Sequence, residues 1–314
     1  MSDRIMNYID KEVKKTGIIL ILLIPALVYG QQFPFMEGYS INPYILSSAY
    51  AGIHNGKSLF LDYRSDLSGI DGSPRTYELS YSTRFREKVG LGGKFIYDKT
   101  DIFKHTLILG TYTYEIKIAE GHKLNFGLSA GLYRNTIDLG KYFNDPNYVQ
   151  DLVLINGQAK SNMLFATDIS ALYRYKQIEG GILFSNVIFG TARYKNTELT
   201  YKPFRNYLLH VSDNLNIDDS WSVNPTIILR GGENIPSQIE ISPTVTWKNR
   251  FWGNTFYRTS GTFGIGVGGE IYNGVILNYS YNYITNISLY SFGSHQLSMG
   301  IRLFNPQKKE KTEN

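Results

Sequence analysis

Five histidines, His54, His105, His122, His210 and His295, are the side chains of this 314-residue chain best suited to moving protons or holding a metal near neutral pH. They are scattered, and no two stand at i, i+4 or at another ligand spacing, so no metal site is expected. Nucleophilic catalysis needs a Ser or Asp beside a His that a third group orients. Ser294 and His295 are neighbours in sequence, but in a strand adjacent side chains point to opposite faces and cannot form that pair directly. Gly264-Ile265-Gly266-Val267-Gly268-Gly269 looks like a phosphate-binding loop, yet it lies inside a strand pattern with no helix after it. Small residues where strands curve, or where they pack on a plug, account for it better. Asp145-Pro146-Asn147 and Asp218-Asp219 are loop acids that read as solvated turns, with a cation site as the alternative. With no cysteine there is no thiol chemistry and no thiolate metal site. The chain is therefore expected to be no enzyme and to carry no cofactor.

The elements around these residues are strands. From Gln296, the residues Leu297, Met299, Ile301 and Leu303 fall on one face and Gln296, Ser298, Gly300 and Arg302 on the other. The preceding run sets Val275, Leu277, Tyr279, Tyr281 and Tyr283 against Ile276, Asn278, Ser280 and Asn282. Before it, Phe263, Ile265, Val267 and Ile271 oppose Thr262, Gly264, Gly266, Gly268 and Glu270. Each run is roughly the 9–11 residues that cross a bilayer as a tilted strand. No stretch is long and apolar enough for a helical span, and 25 Tyr, 17 Phe and 30 Gly fit strands with aromatic girdles.

The pattern predicts about fourteen antiparallel strands, an even number, at 58–64, 75–84, 88–98, 104–118, 122–135, 162–175, 177–186, 204–213, 221–230, 238–248, 251–259, 262–271, 274–283 and 294–304. The fold class is all-β, a transmembrane outer-membrane β-barrel; a soluble β-sandwich is the alternative. An arginine near the midplane of the lipid face would cost ~2–4 kcal/mol, so Arg230 and Arg302 are assigned to the lumen. The lumen itself is expected to be narrow or partly filled, because the polar faces are rich in glycine. Tyr112, Tyr114, Tyr133, Tyr173, Tyr175, Trp247, Trp252 and Tyr257 are assigned to interfacial girdles. Links at Glu120-Gly121, Gln177 and Asn249 are short, whereas 137–160, 190–203 and 285–293 are long, as periplasmic turns and extracellular loops are in barrels.

Residues 1–30 read as a signal peptide, with Arg4, Lys11, Lys14 and Lys15 before a short apolar core and Val28-Tyr29-Gly30 at the cleavage point. Their removal leaves 28 basic and 24 acidic residues, a charge of +4, too mild and too dispersed for nucleic acid. Residues 31–57 are poor in strand pattern and rich in Phe, Tyr and Pro; they are expected along the periplasmic rim or inside the lumen. Residues 58–304 make the barrel, and 305–314 a charged flexible periplasmic tail.

Several landmarks in this order carry a family resemblance. Gln31-Gln32 is followed by Phe33, Tyr39, Asn42 and Ser48-Ala49-Tyr50-Ala51-Gly52; Asp145-Pro146, Asn224-Pro225-Thr226, Tyr257-Arg258, Asn278-Tyr279-Ser280-Tyr281-Asn282 and Ser294-His295 come later. Together they resemble the PorP/SprF family of outer-membrane proteins. In that family the last pair usually continues with Glu, where this chain has Gln296, and the earlier motif usually reads Asn-Pro-Ala-Tyr-Ala-Gly. The resemblance implies an integral outer-membrane barrel of type IX secretion and gliding. It further implies a secreted adhesin or other cargo as partner, contacts with periplasmic peptidoglycan-linked lipoproteins, and outer-membrane lipids around the wall. Tyr50, Ala51, Gly52, Asp145, Pro146 and His295 are the candidate partner-binding residues. For His295 the functional reading is a lumen or periplasmic-rim contact, and the structural one a hydrogen bond fixing the closing strand. A channel or small-molecule transporter is the alternative function, and a barrel hydrolase the least supported.

Overall fold

In the computed structural model, residues 36–54, 56–140, 158–194, 200–201, 205–233, 235–285 and 291–304 are described. Strict two-residue alternation makes each strand amphipathic, and an amphipathic sheet in lipid must close, because an open edge would leave backbone groups without partners. The strands are β1 Gly56–Ser65, β2 Arg75–Arg86, β3 Val89–Thr100, β4 Phe103–Ala119, β5 His122–Asp138, β6 Leu164–Tyr175 and β7 Ile178–Phe189. They continue as β8 Asn206–Ser212, β9 Trp221–Gly232, β10 Ile235–Trp247, β11 Phe251–Arg258, β12 Thr262–Tyr272, β13 Val275–Ile284 and β14 Ser294–Phe304. Each pairs antiparallel with its sequence neighbour, and β14 returns to β1 with Gly56 opposite Phe304 and Ser65 opposite His295. This is a closed fourteen-stranded barrel, and every expected strand is present. No described helix is long and apolar enough to cross a membrane.

The wall is apolar outside and polar inside, the reverse of a soluble domain. Leu61, Leu79, Ile108, Leu128, Ile169, Ile227, Ile265 and Met299 are exposed on the outer face, while Asp62, Ser80, Ser129, Ser170, Ser242, Ser280 and Ser298 are buried on the inner one. Arg230 and Arg302 face the lumen, as the cost of a charge in lipid requires. Tight turns join the strands at the end where β1 begins and β14 finishes. Asn273-Gly274, with φ of 37° and 86°, is one of them, the two-residue hairpin geometry that Asn-Gly favours. That end is periplasmic by the usual arrangement of barrels, and the longer connections lie at the extracellular end.

Two expected girdle residues lie elsewhere. Tyr133 is 1% exposed and shares the inward face of β5 with Asn125, Ser129 and Asn135. Trp252 shares the inward face of β11 with Asn254 and Phe256, and its Nε1 donates to Asn278 Oδ1 at 2.8 Å. Strand parity decides the face of an aromatic residue, and its apolar ring alone does not. Tyr112, Tyr114, Tyr173, Trp247 and Tyr257 do face outward.

Candidate functional site

The lumen contains the chain's own residues 36–54. This stretch forms three short 3-10 turns, Gly38–Ser40, Pro43–Ile45 and Ser48–Tyr50, so its backbone bonds mostly to itself. Pro43 at the first position of the second turn and Ser47, whose hydroxyl accepts the Ala49 N–H at 3.3 Å, are ordinary reasons for such turns. Its side chains reach the wall all round: Asn42 Nδ2 donates to Ser80 Oγ at 2.8 Å, Tyr44 Oη lies 2.6 Å from Thr111 Oγ1, and Ser48 Oγ lies 2.7 Å from Ser170 Oγ. At the periplasmic end Tyr50 Oη donates to Glu179 at 2.6 Å and Thr113 Oγ1 donates to the Ala51 carbonyl at 2.8 Å. Tyr44, Leu46, Ala49 and Tyr50 pack with Leu172, Leu183, Leu208 and Ile228 of the wall. Glycines of the inner wall make room for it. A Cβ on Gly90 would stand 2.1 Å from the Ala51 carbonyl oxygen, and one on Gly127 would stand 2.4 Å from the Ala49 nitrogen.

At the extracellular end the segment is tied by charge. Glu37 is the one Asp, Glu, Lys or Arg between Gln31 and Asn55, and it is 1% exposed. Its Oε1 accepts from Arg64 Nη1 at 2.5 Å and from Asn282 Nδ2 at 2.7 Å, and its Oε2 accepts from Arg258 Nη2. Arg258 also donates to Glu240, which in turn accepts from Tyr39 Oη, and Arg64 continues to Asp66 at 2.6 Å. The backbone N–H of Glu37 donates to Gln296 Oε1 at 2.7 Å, so the residue standing where the family pattern has Glu is a docking point for the segment. Burial would raise the Glu37 pKa, but the Arg258 and Arg64 guanidiniums outweigh it and hold the carboxyl at about 2, below its ordinary 4.5. Alternating acids and guanidiniums satisfy one another in a place where an unpaired charge would be very costly.

Between the segment and strands β2–β4 and β6–β9 lies a cavity of about 150 Å³. Leu46, Leu107, Leu109 and Leu183 give it apolar sides, and Glu78, Asp168, Lys94 and Arg230 add charge of both signs. Asp168 accepts the Asn186 N–H at 3.0 Å where the β6–β7 register slips and Asn186 takes a φ of 53°.

The sequence-derived candidates are spread over this frame. Tyr50, Ala51 and Gly52 come together against the inner wall, 4% exposed or less for the first two. His295 lies on the outward face at the extracellular end, away from the lumen and the periplasmic rim, with Nδ1 2.6 Å from Tyr279 Oη. Asp145 and Pro146 fall outside the described residues. His105 and His122 likewise pair with tyrosines, Tyr133 at 2.7 Å and Tyr173 at 2.6 Å, and His210 lies beside Tyr50 with ring centroids 5.6 Å apart. Among the described residues no group of His, Asp and Glu could hold a metal ion. Asp218 accepts the N–H groups of Ser220 and Trp221 at 2.7 and 2.9 Å, a turn of the expected kind. The glycine-rich strand β12 has Gly264 against the Phe256 ring and Gly268 against Trp252, so its inward glycines accommodate aromatic rings rather than phosphates. Sequence reasoning missed Glu37, Arg64, Glu78, Glu240 and Arg258. Their signal was there: four are charges at inward positions of strands, and Glu37 is an isolated charge in an otherwise uncharged stretch.

A closed barrel with an apolar outer band and its own N-terminal residues inside defines a plugged outer-membrane protein. The family of "Type IX secretion system membrane protein PorP/SprF" matches residues 28–301, and the chain belongs to it. Among curated proteins, none matches the chain in sequence. Of the solved structures, the CymD monoaromatic hydrocarbon channel is similar at 11% identity with a TM-score of 0.52, over 88% of this chain and 95% of that one. The toluene transporter TbuX of Ralstonia pickettii is similar at 9% identity with a TM-score of 0.48, over 88% and 96%. At these identities the likeness is one of fold alone.

Proposed function

We propose that this type IX secretion barrel works as a non-enzymatic platform, supporting a secreted adhesin or other cargo at its extracellular end and contacting peptidoglycan-linked lipoproteins at its periplasmic end. The observation that carries this reading is the filled lumen. Residues 36–54 are tied to the wall from the Glu37 cluster above to Thr113 and Glu179 below, which makes a stiff body rather than an open conduit. Cargo binding would fall to the extracellular loops. Two of them are zipped together, Ser68 N–H to the Gly293 carbonyl at 2.7 Å and Phe292 N–H to the Ser68 carbonyl at 2.8 Å, and they present Phe292 at 78% exposure. An exposed aromatic on a loop whose backbone is hydrogen-bonded to its neighbour is the kind of anchor that carries interface affinity. His295 lies at that end, and with Asp145 and Pro146 it is a candidate contact for the partner. The leader 1–30 would be removed on export, and the tail 305–314 would follow β14 into the periplasm. Both are expected of a chain that delivers its barrel to the outer membrane.

The test is an affinity pull-down of the C-terminally tagged protein from gently solubilised outer membranes, with mass spectrometry of what stays bound. Recovery of secretion-ring components, periplasmic lipoproteins or one large secreted protein is the expected result. Recovery of the barrel alone across several detergents, together with steady conductance of the intact protein in planar bilayers, would overturn the reading in favour of a channel.

A further inference from the structure

The cavity beside the plug has one feature that packing does not explain. Glu78 lines it, is 4% exposed, and its Oε1 has no hydrogen-bond partner among the described residues. A buried carboxylate oxygen without a donor is costly. Directly opposite on β1 stands a second carboxylate, Asp62, 0% exposed, whose Oδ2 also lacks a partner. Like charges facing each other across two strands destabilise the pair further. Asp168 is a second acid in the cavity wall. Two cations line the cavity, and both are engaged elsewhere: the Lys94 ammonium sits 4.4 Å from the centre of the Tyr44 ring on the plug, and Arg230 Nη2 donates to Gln238 Oε1 at 3.2 Å.

Leu46, Leu107, Leu109 and Leu183 form an apolar side of the cavity, beside the polar Ser185 and Asn206. At about 150 Å³ the space far exceeds the ~10–15 Å³ a single water needs. An inorganic cation would satisfy the acids and leave the leucines facing water, whereas an uncharged hydrocarbon would satisfy the leucines and leave Glu78 without a donor. We infer that this cavity is a binding site for a small organic ammonium ion, with the charged nitrogen donating to Glu78 and an apolar body lying between the plug and the leucines of β4 and β7. The site lies in the extracellular half of the lumen, since Thr76, Asn206 and Gly231 at the upper ends of their strands also line it. It is independent of the platform role and would stand if that role failed.

The experiment titrates the full mature barrel, in a neutral detergent, with benzylammonium, benzyl alcohol and benzoate by isothermal calorimetry. Benzylammonium is expected to bind about tenfold or more tightly than benzyl alcohol, because a charge-assisted hydrogen bond replaces a neutral one. Benzoate is expected to bind weakest. Glu78→Gln should bring benzylammonium down to within about twofold of benzyl alcohol, and Leu109→Trp, which fills the cavity, should remove saturable binding of both. Equal affinity for the three probes in the unmodified protein would overturn the inference, and that comparison stands even where Glu78→Gln fails to fold. A cation preference that survives Glu78→Gln or Leu109→Trp would overturn it as well.

Discussion

Replacing Glu37 with glutamine should release the plug while leaving the barrel closed. The strands hold one another through a continuous ladder of backbone hydrogen bonds, whereas the plug's backbone bonds go to its own turns or to side chains of the wall. Loss of the plug therefore breaks side-chain tethers and packing, and no strand pairing. Glutamine keeps the size of the side chain but brings an NH2 group toward Arg258 or Arg64, so both guanidiniums lose the charge of Glu37 and keep only Glu240 and Asp66. Removing one member of a buried ion pair costs ~3–5 kcal/mol. The depressed pKa of Glu37 points the same way. Its carboxyl is held at about 2 against an ordinary 4.5, and at ~1.4 kcal/mol per pKa unit the difference is worth about 3 kcal/mol. At ~1.4 kcal/mol per factor of ten, the plug-released population should rise on the order of a hundredfold.

Amide hydrogen exchange reads this directly. In Glu37→Gln the amides of Glu37, Asn42 and Tyr50 should exchange faster by about two orders of magnitude, while those of Ser129 and Ser280 in the strands stay as they were. The pH dependence has a definite sign. A depressed carboxyl pKa contributes stability that is fully present above about 4.5 and is lost as pH falls toward about 2, so acidification across that window should lower the protection factors of the plug amides, exchange relative to the intrinsic rate at each pH, in the unmodified protein. The variant should lack that part of the response. Uniform acceleration of plug and strand amides, or a change of less than threefold in the plug, would refute the idea that Glu37 is a latch separable from the barrel.

Deleting residues 31–54 should turn a quiet barrel into a conducting one, measured as stepwise current in planar bilayers. Gly127→Val places a side chain where the Ala49 nitrogen stands 2.4 Å from the Cβ position, and it should destabilise plug seating by ~1–3 kcal/mol without altering the far-ultraviolet circular dichroism of the strands. Leu128→Arg, on the lipid face midway along β5, should cost ~2–4 kcal/mol in urea unfolding from lipid vesicles, against little for the same change at exposed Phe85 near the periplasmic turn. The chain has no cysteine, so single cysteines report orientation cleanly: Ser68→Cys should react with an impermeant maleimide on whole cells, and Asn273→Cys only after the outer membrane is opened.

The fourteen strands were legible because a barrel wall obeys one rule at every position. Leu124, Phe126 and Leu128 must be outside if Asn125, Gly127 and Ser129 are inside, and no long-range contact is needed to see it. Tyr133 and Trp252 were misplaced where the chemical taste of an aromatic ring was put ahead of that parity. The plug obeys no such rule. Its tethers join Glu37 to residues 27, 221, 245 and 259 positions away, and nothing local in Met36-Glu37-Gly38 announces Arg64, Arg258, Asn282 or Gln296 as partners.

Parity and charge together reach further than either alone. Arg64 and Arg258 stand at inward positions near the extracellular ends of β1 and β11, so each needs an acid inside the lumen. The wall offers Asp66 to one and Glu240 to the other. One more carboxylate between the two arginines would complete an alternating chain of charge, and the 25 residues before the first strand contain a single acid that could be it. A lone charge in an uncharged, aromatic stretch is poorly suited to lie on a rim where water already satisfies it, and well suited to seat that stretch against buried guanidiniums. Two inward arginines close together at one end of the lumen, each able to take a second acid, are thus a physical reason to look for a plug, and the lone acid marks the point at which it is held.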